Sequence, residues 1–445
     1  MQTQNPSASS SSRGFDDLHP PDPSVINSCV HCGFCLATCP SYRVLGTEMD
    51  SPRGRIYLMD ALNRGEIELT PDVVKHFDSC LGCLACVSTC PSGVRYDELL
   101  ADMRAQVTRH HPRSLPDKLL RDLTFKLFPY PDRLRLLLRP LKLAQNLGLR
   151  ALVRNSGLLK RLSPQLASME CILPAIPANA FRDDFPEVLP ARGQKRFRVG
   201  LVLGCVQRVL FADVNHATAR VLTANGCEVV VPKSQGCCAA LPYHQGEEAQ
   251  ARALARQTID SFADLELDAI VINAAGCGHT LKEYGRILRD DPDYVRRGEE
   301  FSSKVKDVHE FLAEVGLASK LHPLQDKPLT LVYQDACHLL HGQGISAQPR
   351  QLLRQIPGVT VRNPADAALC CGSAGVYNIL QPDTADELGR MKVETLLATG
   401  ADAIASPNPG CALQIQKHLQ QQGQSVPVFH PIQLLDRSMR GEQFP

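Results

Sequence analysis

Two copies of one cysteine pattern constrain this chain more tightly than any other feature. Cys29, Cys32, Cys35 and Cys39, followed by Pro40, read C-x2-C-x2-C-x3-C-P; Cys80, Cys83, Cys86 and Cys90, followed by Pro91, repeat that spacing 51 residues later. Three closely spaced cysteines reach three corners of a cubane, and the fourth, set before a proline that redirects the chain, points to the other cluster. The spacing therefore predicts two [4Fe-4S] clusters with crossed ligands, Cys29, Cys32, Cys35 and Cys90 for one and Cys39, Cys80, Cys83 and Cys86 for the other. Zinc also binds C-x2-C pairs in tetrahedral thiolate cages, but zinc sites rarely take two such steps in succession with a proline-flanked fourth cysteine.

The rest of the composition fits a redox protein of the cell interior. Eighteen cysteines follow an opening stretch, MQTQNPSASSSSRGFDD, that has no apolar export segment, so metal or redox chemistry is a better reading than disulfides. The formal charge is +1, from 48 basic and 47 acidic residues, which gives no field to attract nucleic acid. No apolar run reaches the ~18 residues of a spanning helix, so a cytoplasmic location is expected, with any contact to the inner membrane peripheral and on its cytoplasmic face.

At 445 residues the chain is long enough for several cores, and its text changes character along its length. Residues 1–20, rich in Ser, Asn, Gln and Pro, read as a disordered tail. Residues 21–112 form the mainly helical, ferredoxin-like domain with both motifs. Its spacer carries the run DSPRGR (Asp50–Arg55), read as a turn and helix start with solvated arginines rather than as cations serving the clusters. Residues 113–195 are a basic helical and Pro-rich connector. Between Lys118 and Arg161 it holds 11 Lys or Arg against Asp122 and Asp132, and Pro129, Pro131 and Pro140 are expected to break it into short amphipathic helices.

From Arg198 onward, Val- and Ile-rich strands alternate with helical runs, and the order occurs twice, over 196–325 and 326–445. Cys205 matches Cys337, Cys237 matches Cys370, and Cys277 matches Cys411, at offsets of 132, 133 and 134 residues. The pattern predicts duplicated α/β repeats with parallel strands, giving an α+β multi-domain protein overall. Chemistry in such sheets lies beyond the carboxyl ends of the strands, where every cysteine of the repeat falls. Two further sets result, Cys205, Cys237, Cys238 and Cys277, and Cys337, Cys370, Cys371 and Cys411, both candidates for a redox or metal role. Cys171 and Cys227 are better read as buried small hydrophobes. His279, His338 and His341 lie near these sets, where a satisfied histidine is the plainer reading and a proton relay stays open.

The runs CVHCGFCLATCP, DSPRGRIYLM, CLGCLACVSTCPSGVRY, GCC and LCCGSAG make the chain resemble the iron-sulfur subunit of bacterial glycolate oxidase over nearly its whole length. The resemblance implies a complex in which flavoprotein subunits oxidise glycolate to glyoxylate while this chain relays electrons towards a quinone or other membrane acceptor. No substrate site and no flavin motif are expected on the chain itself. Lactate-utilisation and anaerobic glycerol-3-phosphate dehydrogenase subunits share the pattern, as do heterodisulfide-reductase-like proteins with redox-active CCG cysteines. In those last relatives five cysteines per repeat hold a larger, non-cubane cluster. Here Ala274 and Asn408 stand where the first cysteine of their C-x-x-C pair would be, and Ala239 replaces the glycine usual after the Cys-Cys pair, whereas Gly372 keeps it. A third cluster is left open, with the second repeat the better candidate for redox activity.

Overall fold

In a computed structural model of the chain, residues 15–157, 161, 170, 173, 175–181 and 184–444 are described. They fall into two compact units, one reaching to Ser114 and including His244–Glu247, the other covering Leu115–Tyr243 and the chain from Glu248 onward. The architecture is α+β, with a helical N-terminal cluster domain and C-terminal repeats built on parallel strands.

In the first unit, prolines and small polar caps decide where helices begin. Pro23, Pro52 and Pro71 open the helices Pro23–Asn27, Pro52–Asn63 and Pro71–Asp78, where a missing N–H costs nothing. Asp22, Ser51 and Thr70 cap them by accepting from the amides of Ser24, Gly54 and Val73. Their inner faces join the helix Tyr96–His110 in a core of Ile56, Met59, Leu62, Phe77, Leu99 and Met103.

Part of the segment expected as a tail over residues 1–20 lies among the described residues. Residues 1–14 lie outside the described residues, but Phe15 is buried in this core and Asp16 is tied to the last turns of the helix Tyr96–His110. Arg109 Nε and His110 Nε2 each lie 2.8 Å from Asp16 Oδ2, and Gln106 Nε2 donates to Oδ1 at 2.8 Å. Burial pushes the Asp16 carboxyl up, but these donors outweigh it and hold it well below the usual carboxylate range. The partners lie about 90 residues along the chain, beyond the reach of any local compositional argument.

The second unit contains two sheets. Strands β1 (Val188–Leu189), β2 (Phe197–Val202), β3 (Cys227–Val230), β4 (Ala269–Ile272) and β5 (Val305–Asp307) form the first, in the order β1-β3-β2-β4-β5. Strands β6 (Leu329–Tyr333), β7 (Val359–Arg362), β8 (Ala403–Ala405) and β9 (Val428–Phe429) form the second, in the order β7-β6-β8-β9. All pairings are parallel except that of β1 with β3. The shared order β3-β2-β4 and β7-β6-β8 is the duplication seen in three dimensions. The connector thus ends in an unexpected edge strand, because Val188 and Leu189 pair with Val230 and Val229. The repeats are not separate bodies: Leu201, Val229 and Val271 share one core with Leu331, Tyr333, Ala403 and Leu434.

The connector forms the helices Leu115–Leu127, Pro131–Asn146 and Leu149–Ser156. Pro131 begins the second as expected, but Pro140 does not break it. Pro140 and Leu136, whose carbonyl loses its donor, are both exposed, so water can serve that carbonyl. Leu134 and Leu138 face inward against Ile176, Val209 and Leu413, whereas Leu136, Leu137 and Leu143 face outward.

Candidate metal centres

Each cysteine motif wraps a loop around a cavity. His31 and Gly33 in the first motif, and Gly82 and Leu84 in the second, take positive φ of 52°, 85°, 65° and 64°. These are the same two positions of the repeat, and in each copy one of them is a glycine. One cavity is lined by Cys29, Cys32, Cys35 and Cys90, together with Cys86. A second is lined by Cys39, Cys80, Cys83 and Cys86. The fourth cysteine of each motif therefore sits with the first three of the other. Among the described residues no three His, Cys, Asp or Glu side chains converge as a single-ion site requires; these thiols ring two cavities instead. Four soft thiol donors around each fit an iron-sulfur cluster.

The two cavities differ in setting. The first opens to the surface, with Cys32 exposed and Val30 and Phe34 projecting into solvent on either side. All four cysteines of the second are buried. Burial pushes the Cys29, Cys35 and Cys86 thiols up. Burial also acts on Cys80, yet the Arg55 and Arg104 guanidiniums, the Gly82 amide and the Tyr96 hydroxyl outweigh it and hold the thiol below its ordinary value. Gly82 N donates to Cys80 Sγ at 3.4 Å, Tyr96 Oη at 3.7 Å, and Arg104 Nη2 donates to the Cys80 carbonyl at 2.5 Å. Sequence reasoning missed Tyr96 and Arg104. It placed Arg55 in solvent, whereas this side chain is fully buried against the second cavity.

In the second unit the loops after the strands bring each remaining cysteine set together. Cys205 and Cys237 lie 3.4 Å apart, and Cys238 is hydrogen-bonded to both Cys237 and Cys277. The second repeat matches, with Cys370 bonded to Cys337 and Cys371 to Cys370 and Cys411. In each set the middle thiol, Cys238 or Cys371, is held well below its ordinary value by its thiol donors, while Cys237, Cys277, Cys370 and Cys411 are pushed up.

The repeats are not equivalent electrostatically. Behind the second set lies Lys392, buried, with its Nζ on the Ala367 carbonyl at 2.8 Å. At the matching place 134 residues earlier stands the neutral Thr258, whose hydroxyl donates to the Cys237 carbonyl at 3.3 Å. Asn408 donates to Cys411 Sγ at 3.4 Å and accepts from the Gly276 amide at 3.3 Å, so it joins the two repeats; Ala274 has no such group. His279 and His338 meet edge to face at 5.0 Å, and burial, then His338, lowers His279 to about 3. Cys227 is buried in β3, which pushes its thiol up to about 11, as for a small hydrophobe. Cys171 lies outside the described residues.

Two cluster cavities on a helical domain, followed by a duplicated α/β unit with paired thiol sets, define an iron-sulfur electron-transfer protein. Family models agree along the chain: residues 25–94 match a 4Fe-4S dicluster domain, and residues 199–282 and 331–416 match a cysteine-rich domain. Residues 116–173 match the linker region of the glycolate oxidase iron-sulfur subunit. The chain is 38% identical to a probable glycolate oxidase iron-sulfur subunit of Bacillus subtilis, covering 92% of each chain. It is 35% identical to the glycolate oxidase iron-sulfur subunit of Escherichia coli, over 94% of this chain and 95% of that one. A lactate utilization protein A of Shouchella clausii is 29% identical over 54% of this chain and 98% of its own. A crystal structure of a hypothetical protein from Helicobacter pylori shares the fold, with a TM-score of 0.54 at 9% identity over 88% of this chain and 68% of that one. The chain belongs to the glycolate oxidase iron-sulfur subunit family. It is an electron-transfer subunit carrying [4Fe-4S] clusters.

Proposed function

We propose that this chain takes electrons from flavoprotein subunits that oxidise glycolate to glyoxylate and relays them towards a quinone or other membrane acceptor. The oxidation releases two electrons and two protons. In this reading the flavin takes both electrons, and the clusters supply one-electron transfer between flavin and acceptor. Cys29, Cys32, Cys35 and Cys90 hold one cluster, and Cys39, Cys80, Cys83 and Cys86 the other. The observation that carries the reading is the pair of thiol-lined cavities that share Cys86, one with Cys32 exposed and one with all four of its cysteines buried. Adjacent sites of unequal exposure suit a relay with its terminus at the surface. The second thiol set, with Lys392 behind it, remains the better candidate for any further redox centre.

No helix among the described residues is long and apolar enough to cross a membrane. Peripheral contact through the connector is part of the proposal. Nine of the fifteen exposed large hydrophobic side chains among the described residues are leucines between Leu115 and Leu152, interleaved with the exposed Lys118, Lys126, Arg133 and Arg139. Such a surface suits an anionic bilayer.

Anaerobic addition of substrate to the purified complex tests the central reading. Glycolate is expected to produce the electron paramagnetic resonance signals of reduced clusters. Reduction by lactate or glycerol 3-phosphate, with glycolate inert, overturns it in favour of the other relatives.

A further inference from the structure

The run DSPRGR builds a buried cation against the second cavity. Ser51 caps the helix Pro52–Asn63, and Gly54 lets its first turn press on the preceding turn, since a Cβ at Gly54 would lie 2.0 Å from the Glu48 carbonyl oxygen. That approach carries Arg55 inward, where its exposure falls to 0%. Nε donates to the His76 carbonyl at 2.5 Å, and Nη2 to Ser41 Oγ at 3.0 Å and Ser79 Oγ at 2.9 Å. Asp50 Oδ1 lies 3.6 Å from Nη2. Nη1 is buried and has no hydrogen-bond partner. Arg55 lines the cavity of Cys39, Cys80, Cys83 and Cys86, so a buried guanidinium with one unpaired donor borders the four-thiol site.

Among the described residues that line it, the first cavity has no buried guanidinium. Arg53, its nearest guanidinium, is 28% exposed, bonds Glu48 at 2.6 Å and donates to the His31 carbonyl at 3.1 Å. Its charge is paired and screened by water, whereas that of Arg55 acts in a dry interior.

We propose that Arg55 sets the reduction potential of the cluster at Cys39, Cys80, Cys83 and Cys86, raising it by stabilising the extra negative charge of the reduced state, with Asp50 opposing it. Cations and donors near a cluster favour its reduced form, and removing them favours the oxidised form. The inference rests on the two-cluster reading above, which iron analysis of the same samples checks separately.

The experiment is a potentiometric titration of the full reconstituted chain, followed by electron paramagnetic resonance. R55Q is expected to lower one of the two midpoint potentials by about 59 mV, a tenfold change in the reduced-to-oxidised ratio. R55K, which keeps the charge, shifts it less, and D50N shifts the same midpoint upward. The other midpoint stays at its native value. A residue that only supports the fold would lose iron without moving two variants in opposite directions. If R55Q fails to assemble that cluster, D50N decides: a rise supports the proposal, and no change or a fall overturns it. Native iron content with an unchanged midpoint in R55Q likewise overturns it.

Discussion

The glycine that follows the second Cys-Cys pair, and the alanine in its place in the first repeat, give a quantitative test of how the repeats are built. Both positions are left-handed, Ala239 at φ 67° and Gly372 at φ 85°. A non-glycine residue there costs about 1–2 kcal/mol. At Gly372 a Cβ would also lie 2.5 Å from the backbone oxygen of Ala385, and overpacking of that kind costs about 1–3 kcal/mol more. Gly372→Ala should therefore destabilise the chain by about 3 kcal/mol. At Ala239 the strain is already present, and the methyl is packed in the core. Ala239→Gly relieves about 1–2 kcal/mol of strain, loses about 0.8 kcal/mol of burial and loosens the unfolded chain by about 0.4–1 kcal/mol, so the terms nearly cancel. Urea denaturation of the two variants under reducing conditions measures the difference. Equal effects, or a neutral Gly372→Ala, would refute the argument that close backbone approach fixes glycine in the second repeat alone.

The connector yields two more predictions. Leu138 is 1% exposed and packs inward, so Leu138→Ala should cost about 2–5 kcal/mol, while Leu136→Ala on the outer face should stay within about 0.5 kcal/mol. Co-sedimentation of the complex with anionic vesicles should fall severalfold when Leu136, Leu143, Arg133 and Arg139 are all replaced by Ser, and unchanged sedimentation would remove the membrane reading. Arg135 and Lys142 are poor probes of that surface, because Arg135 donates to the Ala180 carbonyl at 3.3 Å and Lys142 to the Ile176 carbonyl at 2.5 Å.

What could be read from the sequence was set by local spacing, and what was missed depended on distant partners. The cysteine motifs and the strand-then-cysteine order carry their geometry within a few residues, so the cluster domain and the duplicated parallel sheets were both legible. Arg53 and Arg55 are two residues apart in one motif, yet one is paired in water with Glu48 and the other is buried. The serines that receive Arg55 lie 14 and 24 residues away, and helical periodicity alone does not say which face meets them. Asp16 escaped for the same reason, since its partners are on a helix that composition cannot connect to a polar terminus. Amphipathic spacing in the connector does not say which leucines are covered: Leu134 and Leu138, with Leu141 partly buried beside them, meet the pocket formed by Ile176, Val209 and Leu413, while Leu136, Leu137 and Leu143 face outward.

The central claim is that the two motifs exchange their fourth cysteines to hold two clusters, and Cys90→Ser tests it most directly. Native chain reconstituted anaerobically should bind about eight irons, as two four-iron clusters require. In Cys90→Ser, paramagnetic resonance and iron analysis should show damage to the cluster at Cys29, Cys32 and Cys35, in the cavity that Cys90 lines, with the other cluster intact. Loss confined to the cluster at Cys80, Cys83 and Cys86, the cysteines nearest in sequence, would contradict the account.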